Sequence, residues 1–395
     1  MKIGRTLPPA AAPIGLRDLW HGVTGGLDAA RARAAREREL RQEFGARDVF
    51  LLSSGSAALA LALLALKSLS ARTDVIIPAY TCFSLPAAIL KAGLRPVACD
   101  INPSSFDFDH ALLRRTFSPD TLCVVGHHLF GVPSDMSGLR ALCRENGSFL
   151  IEDAAQAMGV QAHGRKLGTI GDAGIFSLGR GKNITCGAGG ILITSSPGIG
   201  EAIAREYARI PSPGALRSCR DLIELAAMAV LVRPRLYWIP AAVPFLHLGE
   251  TRYPKAVPIE RLSGTKAGLL RGWQRRLALA NGRRRETARY FGRRLRLPLT
   301  RGGDHPYLRV PFRVRDEREK QRICALSHAR GLGLSPAYPA PVSAIPGVPI
   351  ATGGREFPSA RRLAASLVTI PTHHLLSARD RRAIAELCRD FRRVS

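Results

Sequence analysis

A lysine held between glycines, in a loop joining two apolar runs, can act as a nucleophilic amine. Phe176-Ser177-Leu178-Gly179-Arg180-Gly181-Lys182-Asn183 places Lys182 in such a loop. The glycines let the backbone approach a bound group closely, and partial desolvation lowers a lysine's affinity for its proton. Upstream, Ser53-Ser54-Gly55-Ser56 leaves an apolar run and opens a stretch rich in Ala and Leu. Free N–H groups and the positive helix end then point at one spot, which suits a phosphate. Asp153 ends the apolar run 148–153, at the strand end where open α/β sheets bind ligands. A carboxylate there can keep a heterocyclic N–H⁺ protonated, and Gln156, three residues on, shares its face if a helical turn follows. Taken singly, each has an ordinary reading: serine as a helix cap, aspartate as a turn residue, lysine as a solvated loop charge. Their joint occurrence is what carries weight.

The elements that must hold these residues follow from pattern. Short apolar runs at 49–53, 75–78, 96–100, 122–126 and 148–153 read as strands. Ser56–Ser68, Leu85–Ala92 and Ser137–Glu145 read as the helices between them. Strands buried on both faces and alternating with helices predict an α/β fold with a mainly parallel central sheet. A strand-rich piece at 171–194 extends it. Before the sheet come a Pro-rich start and a charged helix, Asp28–Phe44; after it, 198–255 is helical, apolar and punctuated by proline. A long basic helix over about 262–296, strands around 307–314 and a closing helix Ala378–Phe391 predict a second lobe. The expected division is a large α/β domain over 1–256, including the N-terminal arm and the 198–255 segment, and a smaller C-terminal α+β domain over 257–395.

Composition is that of a globular protein: 395 residues, 46% hydrophobic and 23% charged. The charge balance is lopsided, 58 Lys+Arg against 31 Asp+Glu, or +27. Such an excess attracts anions. No recognised nucleic-acid-binding module accompanies it, so nucleic acid is not an expected partner. Arg275, Arg276, Arg283, Arg284, Arg285, Arg289, Arg293 and Arg294 form a basic run read as a solvated helix face. The alternatives are attraction of a nucleotide diphosphate or, taken with the apolar segment 222–248 and its Tyr237, Trp238 and Phe245, weak peripheral association with an anionic membrane. That segment, broken by Arg233, Pro234 and Arg235, is too short to span a bilayer and reads as core or dimer interface. Eight cysteines without a CxxC pair or zinc spacing fit reduced thiols in a cytoplasmic protein with no metal site. The opening MKIGRTLPPAAAPIGL puts proline where a secretion signal needs an apolar core.

The motifs, in order, resemble a known family. Ser54-Gly55-Ser56-x-Ala58-Leu59, Pro78-Ala79-Tyr80-Thr81, Pro96-Val97 with Asp100, and His128-Leu129-Phe130-Gly131 come first. Glu152-Asp153-Ala154-Ala155-Gln156, Gly171-Asp172 and Phe176-Ser177 with Lys182-Asn183 follow. The set is similar to the sugar aminotransferases of the DegT/StrS type, pyridoxal 5′-phosphate (PLP) enzymes of fold-type I. The likeness runs from about 40 to 195 and resumes near Ala337-Tyr338-Pro339-Ala340-Pro341 and Ile370-Pro371-Thr372-His373.

The resemblance implies that Lys182 carries PLP as a Schiff base and then shuttles the proton between Cα and C4′. It implies that Asp153 pairs with the pyridine nitrogen and Gln156 touches the ring or its 3-hydroxyl. Gly55 and Ser56 amides and the Ser177 hydroxyl would take the phosphate, and Tyr80, Cys82, Phe83, His128 and Tyr338 are candidates for the substrate pocket. A homodimer is implied, since sites in this fold lie at a subunit boundary. Lysine at 182, rather than the histidine of a related dehydrating branch, favours transamination. The departures are Cys82 where the family stacks an aromatic residue on the cofactor, Gly187-Ala188-Gly189-Gly190, and Pro258–Ser263 in place of an Asn-bearing segment. The implied activity moves an amino group, from glutamate as the expected donor, to a keto group of a nucleotide-activated sugar. The competing readings are a non-sugar, lipid-like ketone or aldehyde as acceptor, and a regulator of the same fold without turnover.

Overall fold

The computed structural model describes residues 2–243, 246, 248, 249, 251–299 and 305–391; Phe245 lies outside them. Its main sheet takes β1 (Asp48–Leu52), β2 (Asp74–Pro78), β3 (Arg95–Cys99), β4 (Thr121–His127) and β5 (Phe149–Asp153). A two-residue hairpin, β6 (Gln161–Ala162) and β7 (Arg165–Lys166), precedes its last strands, β8 (Ala173–Ser177) and β9 (Gly190–Thr194). The order is β1-β9-β8-β5-β4-β2-β3. The run from β8 to β3 is parallel, and β9 pairs antiparallel with both β8 and β1. A second sheet, ordered β10-β12-β11, is built from β10 (Arg309–Arg313), β11 (Ser335–Pro336) and β12 (Leu367–Pro371).

Helices α1 (Leu16–Leu27) and α2 (Ala29–Phe44) precede the sheet, and α3 (Gly55–Lys67), α4 (Ser84–Lys91), α5 (His110–Arg114) and α6 (Met136–Glu145) connect its strands. After β9 come α7 (Pro197–Ala208), α8 (Ala215–Leu231), α9 (Trp238–Ala241), α10 (Gly264–Leu269) and α11 (Trp273–Arg294). α12 (Glu317–Arg330), α13 (Pro358–Ser366) and α14 (Ala378–Arg389) cover the second sheet's part of the chain. α3 begins where Ser54 Oγ accepts the Ala57 N–H, and its run of Ala and Leu is buried on almost every side. A helix apolar all round belongs inside a protein, and here it packs against β1, β8 and β9 and against α4 and α7.

The α/β reading with a mainly parallel sheet holds, strand by strand within a residue or two. Among the differences from expectation, three bear on what surrounds the sheet. α1 has no counterpart in the sequence reading, because glycines at 22, 25 and 26 weaken a helix pattern. The long basic helix is instead two, α10 and α11, separated by Gly272 at φ +71°. Within α11 the face is not wholly solvated: Arg284 is buried, and Arg276 lies against Asp18 at 3.3 Å. The N-terminal arm reaches the second sheet's region, where Leu7 N–H donates to Gly331 O, His373 Nε2 to Pro8 O, and Arg5 pairs with Asp380. Among the described residues, no helix is long and apolar enough to cross a membrane.

Candidate active site

Strands β2, β4, β5 and β8 run parallel, so their C-terminal ends fall along one edge of the sheet, and a cavity of about 200 Å³ opens there. β1 delivers Ser54, Gly55 and Ser56 to it, β4 delivers His127 and His128, β5 delivers Asp153, and β8 delivers Ser177 with the loop bearing Lys182. Gln156, Cys82 and Tyr338 also line it, as do Thr81, Leu129 and Ile175. The expected site residues therefore converge, with two exceptions. Tyr80 and Phe83 do not line the cavity. Tyr80 is fully buried behind it, its hydroxyl taking the Tyr338 N–H at 3.1 Å and donating to Tyr338 O at 3.3 Å.

At the anion end, the N–H groups of Gly55 and Ser56 have no acceptor among the described residues, while Ala57 N–H is spent on Ser54 Oγ. The cradle is tight. A Cβ on Gly55 would lie 3.1 Å from Ser177 Cβ, and one on Gly190 of β9 would lie 2.1 Å from Ser54 O. Ser177 Oγ accepts the Gly179 N–H at 3.3 Å and keeps its own proton to donate.

At the opposite end, Asp153 Oδ1 accepts the Ala155 N–H at 3.0 Å, and Oδ2 has no described partner. Gln156 is locked on both sides, Oε1 accepting the Phe130 N–H and Nε2 donating to the Tyr338 hydroxyl at 2.9 Å. Burial drives the Tyr338 phenol well above its usual range, so it stays protonated. Free backbone donors, an open carboxylate oxygen and an unpaired amine around one cavity suit a planar heterocycle with a cationic ring nitrogen, an aldehyde and a phosphate. PLP fits the donor set.

His128 is a structural member of the wall. Its Nδ1 accepts the Ser134 N–H at 3.1 Å, so Nε2 carries the hydrogen it gives to Glu152 at 2.8 Å. Glu152, fully buried, also takes N–H groups from Gly168, Ile170 and Gly171. Burial pushes its carboxyl up, but the His128 contact and the backbone donors outweigh that and hold it below the ordinary range. His127 gives Nε2–H to Phe106 O at 2.9 Å and accepts from Thr81 on Nδ1, so it is neutral too. Cys82 does line the cavity where an aromatic face was in doubt, with the Ser84 hydroxyl 3.0 Å from its sulfur.

The residue that sequence reasoning missed is Arg284. From α11 its guanidinium donates to Lys182 O at 2.8 Å, Asn183 O at 2.9 Å and Ala11 O at 3.2 Å, with no carboxylate partner among the described residues. Burial lowers its pKa to about 10. Gly181, at φ +73°, completes the loop: a Cβ there would sit 2.6 Å from Ala10 Cβ. Nothing local marks Arg284 off from the arginines around it.

Residues 27–220 match the model of the DegT/DnrJ/EryC1/StrS aminotransferase family. GDP-perosamine synthase of Vibrio cholerae is 31% identical over 191 residues, 48% of this chain and 51% of that one. The chain spans about half the length of the curated relatives it matches, or less. Among solved structures, PseC of Helicobacter pylori, an aminotransferase involved in pseudaminic acid biosynthesis, superposes with TM-score 0.77 at 16% identity, covering 98% of this chain and 99% of that one. The E. coli GDP-4-keto-6-deoxy-D-mannose-3-dehydratase with bound hydrated PLP gives 0.75 at 16%, covering 98% and 100%. At that identity the likeness establishes the fold.

Proposed function

We propose that this chain is a PLP-dependent aminotransferase, because residues 27–220 match the model of the DegT/DnrJ/EryC1/StrS aminotransferase family. It moves an amino group, with glutamate as donor, to a keto group on a nucleotide-activated sugar. The observation that carries the proposal is the convergence of Gly55, Ser56, Asp153, Gln156, Ser177 and Lys182 on one cavity.

When bound, PLP supplies an electron sink for the pair released at the substrate carbon. The chain supplies the rest. Gly55 and Ser56 N–H groups and the Ser177 hydroxyl hold the phosphate at the start of α3. Asp153 Oδ2 would hold a proton on the ring nitrogen, and the clamped Gln156 amide would fix the ring's position. Lys182 Nζ, with no ion pair among the described residues, would anchor the aldehyde and then remove and return the proton at the reacting carbon. His127 and His128, neutral and committed to their own bonds, close the wall without taking a proton.

Residues 1–256 form the cofactor-binding lobe in this reading, and 257–395 form a smaller lobe that brings Tyr338 to the cavity. The family's habit of building its sites between subunits supports a homodimer. A cytoplasmic setting is supported by eight free cysteines, and the exposed charge supports contact with an anionic membrane surface.

The test is chemical. Borohydride reduction of the PLP-loaded protein should leave the cofactor's mass on the peptide that contains Lys182. Glutamate should convert bound cofactor to its amino form, and a keto-sugar nucleotide should reverse that. A Lys182→Ala variant should lose the adduct and at least about 100-fold in turnover. Near wild-type transfer by that variant would overturn the assignment.

A further inference from the structure

Six large apolar side chains stand in solvent on two neighbouring helices: Leu16, Trp20 and Leu27 of α1, and Leu216, Ile223 and Val230 of α8, between 47% and 87% exposed. On α8 they recur every seven residues, so they share one stripe, and Ala227 is exposed on the same side. The two helices are packed together. A Cβ on Gly22 would lie 3.9 Å from Leu222 Cδ1, and one on Gly26 3.8 Å from Ser218 Cβ. The higher number on α1 meets the lower on α8, so the helices run antiparallel. That register sets Leu27 level with Leu216, Trp20 with Ile223, and Leu16 with Val230. α10 packs beneath both helices, leaving their outer sides as one apolar strip.

The charge around the strip has one sign. The carboxylates within these helices are already paired: Asp18 with Arg276, Asp221 with Lys266, Glu224 with Arg180. Arg17, Arg220, Arg233 and Arg235 are exposed and make no ion pair with a described carboxylate. Apolar side chains including a tryptophan, flanked by unpaired arginines, are the makeup of a helix that lies in the plane of an anionic bilayer surface. A second copy of the chain fits less well, since it would bring like arginines together on a molecule of net charge +27.

We propose that the α1–α8 face is a peripheral docking surface for anionic lipid bilayers, with Trp20 and Ile223 at its centre. This holds whether or not the chain is an aminotransferase, because none of these residues lines the cavity at Lys182. It sharpens the broader expectation of membrane contact by placing it on α1 and α8 rather than on α11.

Flotation of the full chain with phosphatidylglycerol-containing vesicles tests it, with pure phosphatidylcholine vesicles and high salt as comparisons. Binding is expected to the anionic vesicles, weakened by salt, with a blue shift of emission that Trp20→Phe removes. Trp20→Ser with Ile223→Asp should bind about tenfold more weakly or worse. Both positions are exposed, so circular dichroism, oligomeric mass and PLP loading should stay as in the parent. No binding of the parent to anionic vesicles would overturn the proposal. So would a double variant that floats as well as the parent, or one that breaks a dimer, which would make the strip a contact between copies. Failure of PLP loading in the parent would bear only on the aminotransferase reading.

Discussion

At the level of single residues, the position of Lys182 depends on a side chain 102 residues further along. Arg284 ties the carbonyls of Lys182, Asn183 and Ala11 to α11, with no described carboxylate paired to it. A buried cation surrounded only by carbonyls is tolerated because each hydrogen bond to it is charge-assisted. Removing it leaves three buried acceptors unmet, each costing about 1–3 kcal/mol. Arg284→Met should therefore melt lower and bind PLP at least about tenfold more weakly. Its affinity for pyridoxamine 5′-phosphate, which forms no bond to Lys182, should change much less. Titrations of the two cofactor forms separate the outcomes: equal losses would mean that Arg284 serves stability alone. Arg284→Lys, which keeps the charge but not the fork, should restore part of the difference.

At the level of elements, the α1–α10 crossing is built from glycine. A Cβ on Gly25 would fall 2.5 Å from Gly268 Cα, and one on Gly268 would fall 2.2 Å from His21 O. Neither neighbour is a flexible side-chain end, so the helices would have to part. Gly25→Ala should lower stability by about 1–3 kcal/mol despite alanine's better helix propensity. Gly282 is the control: a Cβ there meets nothing within 4 Å, so Gly282→Ala in α11 should raise stability by about 0.5–1 kcal/mol. Urea midpoints of the two variants, moving in opposite directions, check both. The same glycines explain why α1 could not be read from the sequence. Its helical state comes from close packing with α10, which a propensity count scores as a weakness.

For the whole molecule, the N-terminal arm laces the second sheet's region to the lysine loop, and His373 is one of its fasteners. Its Nε2–H donates to Pro8 O, and burial drives its pKa down to about 3 from 6.5. His127, enclosed beside the cavity, is lowered by burial as well. A histidine whose folded pKa is depressed keeps its full contribution above the unfolded value near 6.5. As pH falls below that, the unfolded chain takes up the proton first, so stability declines towards the folded pKa. For His373 the slope is about 1.4 kcal/mol per pH unit between 6.5 and about 3. Melting temperature should thus fall steadily from pH 6.5 to 4, and His373→Gln, which keeps a donor and cannot titrate there, should flatten the curve. A pH-independent melting temperature over that range would contradict the burial of these imidazoles.

The sequence alone determined the strand ends and what stands on them. Gly55, Ser56, Asp153, Gln156, Ser177 and Lys182 were named from motif order and the resemblance that order carries, and they line one cavity because a parallel sheet brings its strand ends to one edge. Tertiary structure alone decided which side chains are spent. His128 belongs to Glu152, Gln156 to Tyr338, and Tyr80 stands behind the wall, since hydrogen-bond partners come from segments distant in the chain. It also decided which arginine in a basic helix is buried against the lysine loop, and which apolar stripes are left facing water. Local pattern records that a residue is charged or apolar; only packing settles what covers it.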